Sequence, residues 1–350
     1  MSSSEIHSSD LTEPQHRSRE RSLTSHHASR AHHDADSIVL AGSEMLLVSD
    51  ARGDIPVETA GSQGLGLFYR DTRFLSVYRL TLNRAPLVPL ASHEGGGAWT
   101  FHVLGNCELE APGGRIAPHT ISVRRDRMVG EGAIHEVLTL TNYGGKAVCL
   151  SLALVFAADF TDIFVVRGMA DPPAPALLPA EAVETRRVEL RSISRDGIQQ
   201  ATRLAFSPAA TRLDGQQALF EFELGPAGRR ELAIEISPRL GAGGARGGGC
   251  DPHELLCRCQ REGREWLESC TQVRGDAVLE RTLRRSLLDL KLLRTPLRGG
   301  PHYIAGGIPW FATLFGRDSA VAALEVCAFR AAIAGEAARV LARCQAQRFD

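Results

Sequence analysis

The strongest constraint on the fold of this chain is a change of hydrophobic period near residue 240. Between residues 37 and 240, short β-branched and apolar runs are separated by Gly, Pro, Asn and Asp, and helical spacing is nearly absent. Such runs are typical of antiparallel strands, which pack as two sheets around a core. We therefore predict an antiparallel β-sandwich over residues 37–240. Its clearest strand-like runs are Ile38–Leu40, Met45–Val48, Ile134–Leu140, Val148–Phe156, Ala218–Leu224 and Leu232–Ile236.

One pair of these runs carries a turn signal. Asn142, Gly144 and Gly145 lie between two strand-like segments in the stretch Thr139–Val148. Turn residues between two apolar runs are the usual signature of a β-hairpin. We therefore expect these two strands to pair with each other.

Helical spacing begins after a glycine-rich stretch. Residues 241–250 contain six glycines, which predicts a flexible linker and a domain boundary. Asp251 and Pro252 follow as an N-cap and first helical residue. We predict four helices in residues 251–350: one beginning at Asp251, one from near Asp276 to just before Pro296, one from near Ser319 through Ile333, and one after Gly335, from Glu336 to about Gln347.

The four predicted helices resemble the start of a helical array more than a finished domain. Each has an apolar stripe that needs a partner. Three ways to cover these stripes stay open: packing back on the sandwich, forming a homodimer, or completing a barrel with a further C-terminal segment. The predicted fold class is thus β + α multidomain, with an antiparallel β-sandwich followed by the first helices of a helical domain.

Composition excludes several classes of partner and cofactor. The net charge of -1 gives no electrostatic footprint for nucleic acid or an anionic membrane surface. No apolar run approaches the roughly 20 residues of a membrane span, so we expect a cytoplasmic protein. The eight cysteines show no C-x-x-C spacing, and we predict no metal site and no cofactor.

The first 36 residues differ in composition from the rest of the chain. They are rich in Ser, His, Arg, Asp and Glu and poor in large apolar residues. Such a segment cannot bury enough apolar surface to order itself. We predict a disordered, solvated tail over residues 1–36, in which paired histidines could bind a transition metal adventitiously.

A long aromatic loop separates the second and third predicted helices. In it, Trp310, Phe311 and Phe315 come just before Arg317 and Asp318. Aromatic faces can stack on the C–H surface of a sugar ring, a guanidinium can donate two parallel hydrogen bonds, and a carboxylate can accept two. This combination is suited to a neutral, hydroxyl-rich ligand.

The same loop also has a purely structural interpretation. Gly316 would be a turn glycine, Asp318 or Ser319 would cap the third helix, and the aromatic side chains would fill the space between helices. The residues alone leave both interpretations open.

A resemblance to a known family favours the sugar pocket. The loop residues 305–311 and 313–319 resemble the signature of the glycogen debranching-type amylo-alpha-1,6-glucosidases, which are glucoamylase-like (α/α)6-barrel glycosidases. Three further blocks are similar to that family. They are Gly66–Ser76 and Asp159–Gly168, which resemble its N-terminal β-sandwich domain, and Arg285–Leu290, which resembles its first barrel helix.

The resemblance implies a substrate and a binding role for three residues. An α-glucan or oligosaccharide would be the substrate, with Arg317 and Asp318 holding sugar hydroxyls and Trp310 lining or stacking in the pocket. The role of this group would be binding, without proton transfer. For Asp71 and Arg73 we expect a structural role, as an internal ion pair or turn clamp of the sandwich.

No catalytic residue is predicted in this sequence. Glycoside hydrolysis uses two carboxyl groups, roughly 6.5–9.5 Å apart in inverting enzymes. We expect Glu325 and Glu336 to be solvated or capping residues, and the resemblance implies that the acid and base lie in later barrel loops. The chain is therefore predicted to be an incomplete six-hairpin (α/α)6 glycosidase-like protein. A non-catalytic carbohydrate-binding or interaction protein is the alternative, and the sugar and linkage stay open.

Overall fold

A computed structural model describes residues 37–42, 44–57, 64–171, 173–241, 250–297, 300–308 and 310–346. The predicted disordered tail and most of the predicted linker, residues 242–249, lie outside the described residues. The strands and helices described below belong to one compact unit. The predicted domain boundaries stay predictions.

Strands dominate the described residues up to residue 240. The first eleven are β1 (Ile38–Gly42), β2 (Met45–Ser49), β3 (Gly66–Tyr69), β4 (Thr72–Leu75), β5 (Val77–Leu82), β6 (Ala85–Glu94), β7 (Trp99–Asn106), β8 (Leu109–Ala111), β9 (Gly114–Ile116), β10 (Ile121–Gly130) and β11 (Ala133–Asn142). The next eight are β12 (Val148–Ala157), β13 (Thr161–Asp162), β14 (Ala176–Val183), β15 (Arg187–Ile193), β16 (Gln199–Ser207), β17 (Arg212–Leu213), β18 (Gln217–Leu224) and β19 (Arg229–Leu240).

The remaining described elements are mainly helical. A short hairpin consists of β20 (Arg294–Pro296) and β21 (His302–Ile304). The helices are α1 (Ile163–Val166), α2 (Pro252–Glu268), α3 (Ala277–Leu293), α4 (Gly316–Val326) and α5 (Ala331–Arg343). None of these described helices is both long and apolar enough to cross a membrane.

The predicted antiparallel β-sandwich is confirmed. A twelve-stranded sheet runs in the order β14-β15-β16-β19-β11-β10-β7-β6-β5-β12-β18-β17, beside a five-stranded sheet in the order β1-β2-β3-β4-β13. Only two residue pairs join β5 to β6, which is where the long sheet folds over on itself. Side chains from both halves then meet in one core, in which Phe206 lies between Phe156 and Phe220 with ring centroids 6.4 and 5.8 Å apart.

The predicted hairpin across Thr139–Val148 is wrong. β11 pairs with β10 and β19, whereas β12 pairs with β5 and β18, so the connection crosses from one half of the sandwich to the other. The Asn142 side chain fixes this crossing because its amide donates to the carbonyls of Lys146, Leu224 and Gly225 at 2.9–3.0 Å. A turn signal shows that the chain changes direction, but it does not show that the strands on either side of the turn pair with each other.

The first two predicted helices are confirmed with their caps. Asp251 caps α2 and accepts from the amide of His253, and Asp276 caps α3 and accepts from the amides of Val278 and Leu279. Helix α2 packs back on the sandwich through Leu255 and Cys259.

The predicted boundary between the last two helices is wrong. α5 begins at Ala331, so Gly335 lies inside this helix and the break falls at residues 327–330. A glycine inside a helix costs only about 0.5–1 kcal/mol, which the buried side chains of Ile333 and Val340 offset. The break is held by Thr271, which bonds to the carbonyls of Phe329 and Ala328 through its amide and hydroxyl.

A network of charged side chains lies inside the sandwich. The Glu136 carboxylate accepts from Arg125 at 2.7 Å and Arg127 at 2.9 Å and also bonds to the Tyr78 hydroxyl. Arg125 pairs in addition with Asp54. All five side chains are at least nine-tenths buried, so each charge depends on its partners in place of water.

His102 borders this network and makes stability sensitive to pH. Its Nδ1 lies 3.2 Å from the Ala51 carbonyl oxygen. Burial, together with the charges of Arg127 and Arg125, lowers the pKa of His102 to about 3. Below pH 6.5 the unfolded chain therefore binds a proton at this histidine that the folded protein does not bind.

We expect the free energy of unfolding to fall as the pH drops from 6.5 towards 3. One such histidine contributes a slope of up to about 1.4 kcal/mol per pH unit. Urea unfolding of the wild type and His102→Gln at pH 7, 6 and 5 tests this, with the exposed His93→Gln as control. The slope should flatten only in His102→Gln, and equal slopes in all three proteins would contradict it.

Candidate functional site

The loop with the predicted sugar-binding residues is closed by its own backbone. The amide of Gly307 donates to the Phe311 carbonyl at 3.1 Å, and the Phe311 amide donates back at 2.9 Å. Gly306 allows close packing, since a Cβ on it would lie 2.7 Å from the Phe315 ring. The loop is thus a compact unit between β21 and α4.

Trp310 attaches this loop to the sandwich. Its ring meets the Phe68 ring edge-on, with centroids 6.5 Å apart. It also lies so close to Gly64 that a Cβ there would approach the ring to 2.5 Å. The Arg167 guanidinium sits over both Trp310 and Phe311, at 5.4 and 4.9 Å from the ring centroids. The half-buried Trp310 therefore has aromatic, cationic and backbone neighbours from the sandwich.

Arg317 and Asp318 lie in the first turn of α4. Both are exposed, and neither side chain has a hydrogen-bond or ion-pair partner within the described ranges. The helix begins at Gly316 after an extended Phe315. The alternative in which Asp318 or Ser319 caps it is therefore wrong, and the buried Ser319 hydroxyl donates instead to the Ile304 carbonyl.

The structure places the predicted residues in two groups. Arg317 and Asp318 are together on the surface, whereas no contact in the described part of the chain joins Trp310 to either of them. The exposed rings near the charged pair belong to Phe311 and Phe315, with exposed fractions of 45% and 40% and centroids 5.7 Å apart. The sequence instead predicts Trp310 as the ring that lines or stacks in the pocket.

Two of the sequence blocks, Gly66–Ser76 and Asp159–Gly168, contact each other inside the sandwich. Arg73 is only 3% exposed and forms a bidentate ion pair with Asp159, with Nε donating at 3.1 Å. The expected ion pair of Arg73 is thus present, but its partner is Asp159 and not Asp71.

Asp71 is a turn residue that borders a cavity. With Arg70 it forms the two-residue loop between β3 and β4, and both have positive φ, as a type I′ turn requires. Burial and the neighbouring Asp162 carboxylate raise the pKa of Asp71. The cavity, about 620 Å³, separates the five-stranded sheet from the β20–β21 hairpin and is closed on one side by Ile308 and Ala312 of the loop.

The two glutamates considered from the sequence lie in different surroundings. Glu336 forms a bidentate ion pair with Arg294 at 2.7 and 2.9 Å, so the expectation that it is solvated or capping is wrong. Glu325 is exposed on α4. No group of three or more potential metal-ligating side chains is found among the described residues.

Comparison with known proteins identifies the family. A model of the N-terminal domain of (some) glycogen debranching enzymes matches residues 40–235, which is more than half of the chain. The chain belongs to this family. The match contains the sequence blocks Gly66–Ser76 and Asp159–Gly168, whereas the aromatic loop lies beyond it. Among curated proteins there is no significant match.

Two solved structures share the fold of this debranching-enzyme family member. A protein described as a kojibiose phosphorylase from the human microbiome superposes with a TM-score of 0.53 at 7% identity, over 78% of this chain and 41% of its own. A bacterial glucoamylase in complex with acarbose superposes with a TM-score of 0.50 at 11% identity, over 86% of this chain and 48% of its own. The chain thus spans less than half the length of either structure.

Proposed function

We propose that this chain acts in the hydrolysis of α-glucosidic linkages in glycogen-like or oligosaccharide substrates, as the sandwich and first helices of a debranching-type glycosidase. One observation carries the proposal. In a member of the debranching-enzyme family, Arg317 and Asp318 are adjacent, exposed and without a partner among the described residues. Their hydrogen-bonding groups are therefore available to a ligand.

Each loop residue has a distinct role in the proposed subsite. Arg317 donates two parallel hydrogen bonds to neighbouring sugar hydroxyls, and Asp318 accepts from them. Phe311 and Phe315 offer apolar faces to the C–H surface of the ring. Trp310 lines the subsite from the side of the sandwich and fixes the loop.

Hydrolysis also needs an acid and a base, which we assign to none of the described residues. An inverting reaction requires two carboxyl groups roughly 6.5–9.5 Å apart with a water between them. We propose that a further helical segment, completing an (α/α)6 barrel, supplies both. The substrate would then be held between this segment and the α4 terminus, with water as the only co-reactant.

A non-catalytic carbohydrate-binding protein is the second candidate function. It is favoured by the exposed pair of Arg317 and Asp318, which could hold a sugar without any reaction. The two functions share the binding residues and differ in the reaction. Release of glucose from panose by the chain together with a barrel segment would favour the hydrolase.

Sugar binding at the loop is tested by calorimetry. We expect isomaltose, panose or deoxynojirimycin to bind the 350-residue chain, and Arg317→Ala to weaken binding about tenfold or more, since a hydrogen bond to a charged group contributes about 1.5–3 kcal/mol. Arg339→Ala removes an exposed arginine of α5 and should bind like the wild type. Unchanged affinity in Arg317→Ala would refute the assigned subsite. A folded wild type that binds none of the three would refute sugar binding by this loop without the further helical segment.

A further inference from the structure

A second cleft shares no lining residue with the cavity beside the aromatic loop. It has a volume of about 980 Å³ and separates the edge of β6 and β7 from helices α2 and α3. Four arginines line it: Arg264 from α2, and Arg281, Arg284 and Arg285 from α3. Glu94 is the only acidic residue among the described residues of its wall.

The arginines of this cleft outnumber their carboxylate partners. Arg285 pairs with Glu94 and, at 2.8 Å, with Asp289. Arg264, Arg281 and Arg284 have no ion-pair partner in the described parts of the chain. Four guanidinium charges against the two carboxylates of Glu94 and Asp289 leave an excess of two positive charges at the cleft, although the whole chain carries a net charge of -1. An anion bound there would relieve the mutual repulsion of these arginines.

The wall of the cleft is held by rigid elements. The Trp266 indole of α2 donates to the Leu287 carbonyl of α3 at 2.8 Å and sets the spacing of the two helices. Helix α3 packs so closely against the β6–β7 turn that a Cβ on Gly96 would lie 2.8 Å from the Leu288 side chain. The arginines therefore project from fixed backbone positions, as a preformed anion site requires.

The opposite wall of the cleft is aromatic. His93 and Trp99 line it with ring centroids 5.3 Å apart, and Phe101 lies behind them at 5.5 Å from His93. One face of Trp99 is covered by Gly95, where a Cβ would lie 1.9 Å from the ring. Only an edge of this half-buried aromatic surface stays accessible. A saturated sugar ring can pack against such an edge, whereas a planar nucleobase would need a full ring face for stacking.

We propose that this cleft binds a phosphorylated sugar. The phosphate lies between Arg264, Arg281 and Arg284, because guanidinium groups bind phosphate oxygens bidentately. The sugar ring rests against His93 and Trp99. The site is separate from the aromatic loop, and it stands whether or not Arg317 binds sugar.

Calorimetric titration of the full chain tests the site with three probes: glucose 6-phosphate, inorganic phosphate and glucose. We expect glucose 6-phosphate to bind most tightly, phosphate at least about fivefold more weakly, and glucose not at all at this cleft. Raising the salt concentration from about 50 to about 200 mM should weaken binding of both anions, because the contacts are ionic.

Variants locate the site. Arg284→Ala and Arg281→Ala should each weaken glucose 6-phosphate binding about tenfold, and Arg284→Lys should restore it only in part because an ammonium cannot bind bidentately. Arg261→Ala, on the exposed part of α2 outside the cleft, is the matched control and should bind like the wild type. Arg261, Arg281 and Arg284 are all exposed. Circular dichroism and thermal unfolding should therefore show that each variant folds like the wild type.

Three results would overturn the proposal. A folded wild type that binds neither anion rules out the site. Equal affinity in Arg281→Ala, Arg284→Ala and the wild type places any binding elsewhere. If inorganic phosphate binds as tightly as glucose 6-phosphate, the aromatic wall contributes nothing to affinity, and the ligand is not a phosphorylated sugar.

Discussion

Glu136→Gln is expected to lower the free energy of unfolding by about 3–5 kcal/mol, the range observed when one partner of a buried ion pair is removed. The substitution keeps the size of the side chain but removes the negative charge that Arg125 and Arg127 share. Both arginines are at most 1% exposed and cannot turn to water. Equilibrium unfolding in guanidinium chloride measures the change.

The carboxylate of Glu136 is ionised in the folded protein. Burial opposes this, but the charges of Arg125 and Arg127 prevail and lower the pKa of Glu136 to about 2. Its pairing therefore stabilises the fold at pH values above about 4.5, and the contribution is lost as the pH falls from there towards 2. The effect of Glu136→Gln should be fully present at pH 7 and shrink in acid.

Two further variants distinguish the loss of a buried ion pair from the mere removal of a charge. Asp126→Asn removes the partner of Arg124 on the same strand. It should cost less than Glu136→Gln because the Arg124 side chain is 44% exposed and can turn to water, although the Asp126 side chain is only 11% exposed. Replacing Asp54, Arg125, Arg127 and Glu136 together by apolar residues should cost less than Glu136→Gln, since none of the charges of the network is then left unpaired. If Glu136→Gln were as mild as Asp126→Asn, the network would not hold the two halves of the sandwich.

The sequence predicts whether a segment is a strand or a helix better than it predicts which other segments pair with it. β16 alternates buried and more exposed positions along its whole length, and the matching alternation of apolar and polar residues can be read from the sequence alone. β10 shows the limit of prediction from such a local pattern. Arg124, Arg125 and Arg127 look like a solvated charged run, yet the strand is central in the large sheet. The burial of these charges depends on Glu136 and Asp54, and no local pattern contains that information.

The same limit applies to the candidate site. The aromatic loop and the Arg317–Asp318 pair could be found from residue types, because the chemistry of sugar binding limits them. The position of Arg167 over two rings of that loop could not, because about 140 residues of chain separate it from Trp310 and only the packing of the sandwich brings them together. Likewise, the partner of Arg73 is set by the pairing of β4 with β13.

Trp310→Ala is expected to release the aromatic loop from the sandwich. Truncating a large aromatic side chain costs about 3–5 kcal/mol in a full core, and for the half-buried Trp310 we expect about 2–3 kcal/mol of local stability. The loop amides of Gly306, Gly307 and Phe311, which are hydrogen-bonded within the loop, should then exchange with solvent about thirtyfold faster or more. Tyr143→Ala, at an aromatic residue that is 72% exposed, should leave them unchanged.

The same variant distinguishes two roles for Trp310. If the ring only anchors the loop, Trp310→Ala should speed amide exchange and weaken sugar binding together, since Arg317 and Asp318 then lose a fixed position. Trp310→Phe should restore much of both, because a smaller ring can still meet Phe68 and Arg167. If Trp310 instead stacks directly on the sugar, binding should fall while the loop amides keep their protection. Unchanged exchange and unchanged binding would together contradict both roles.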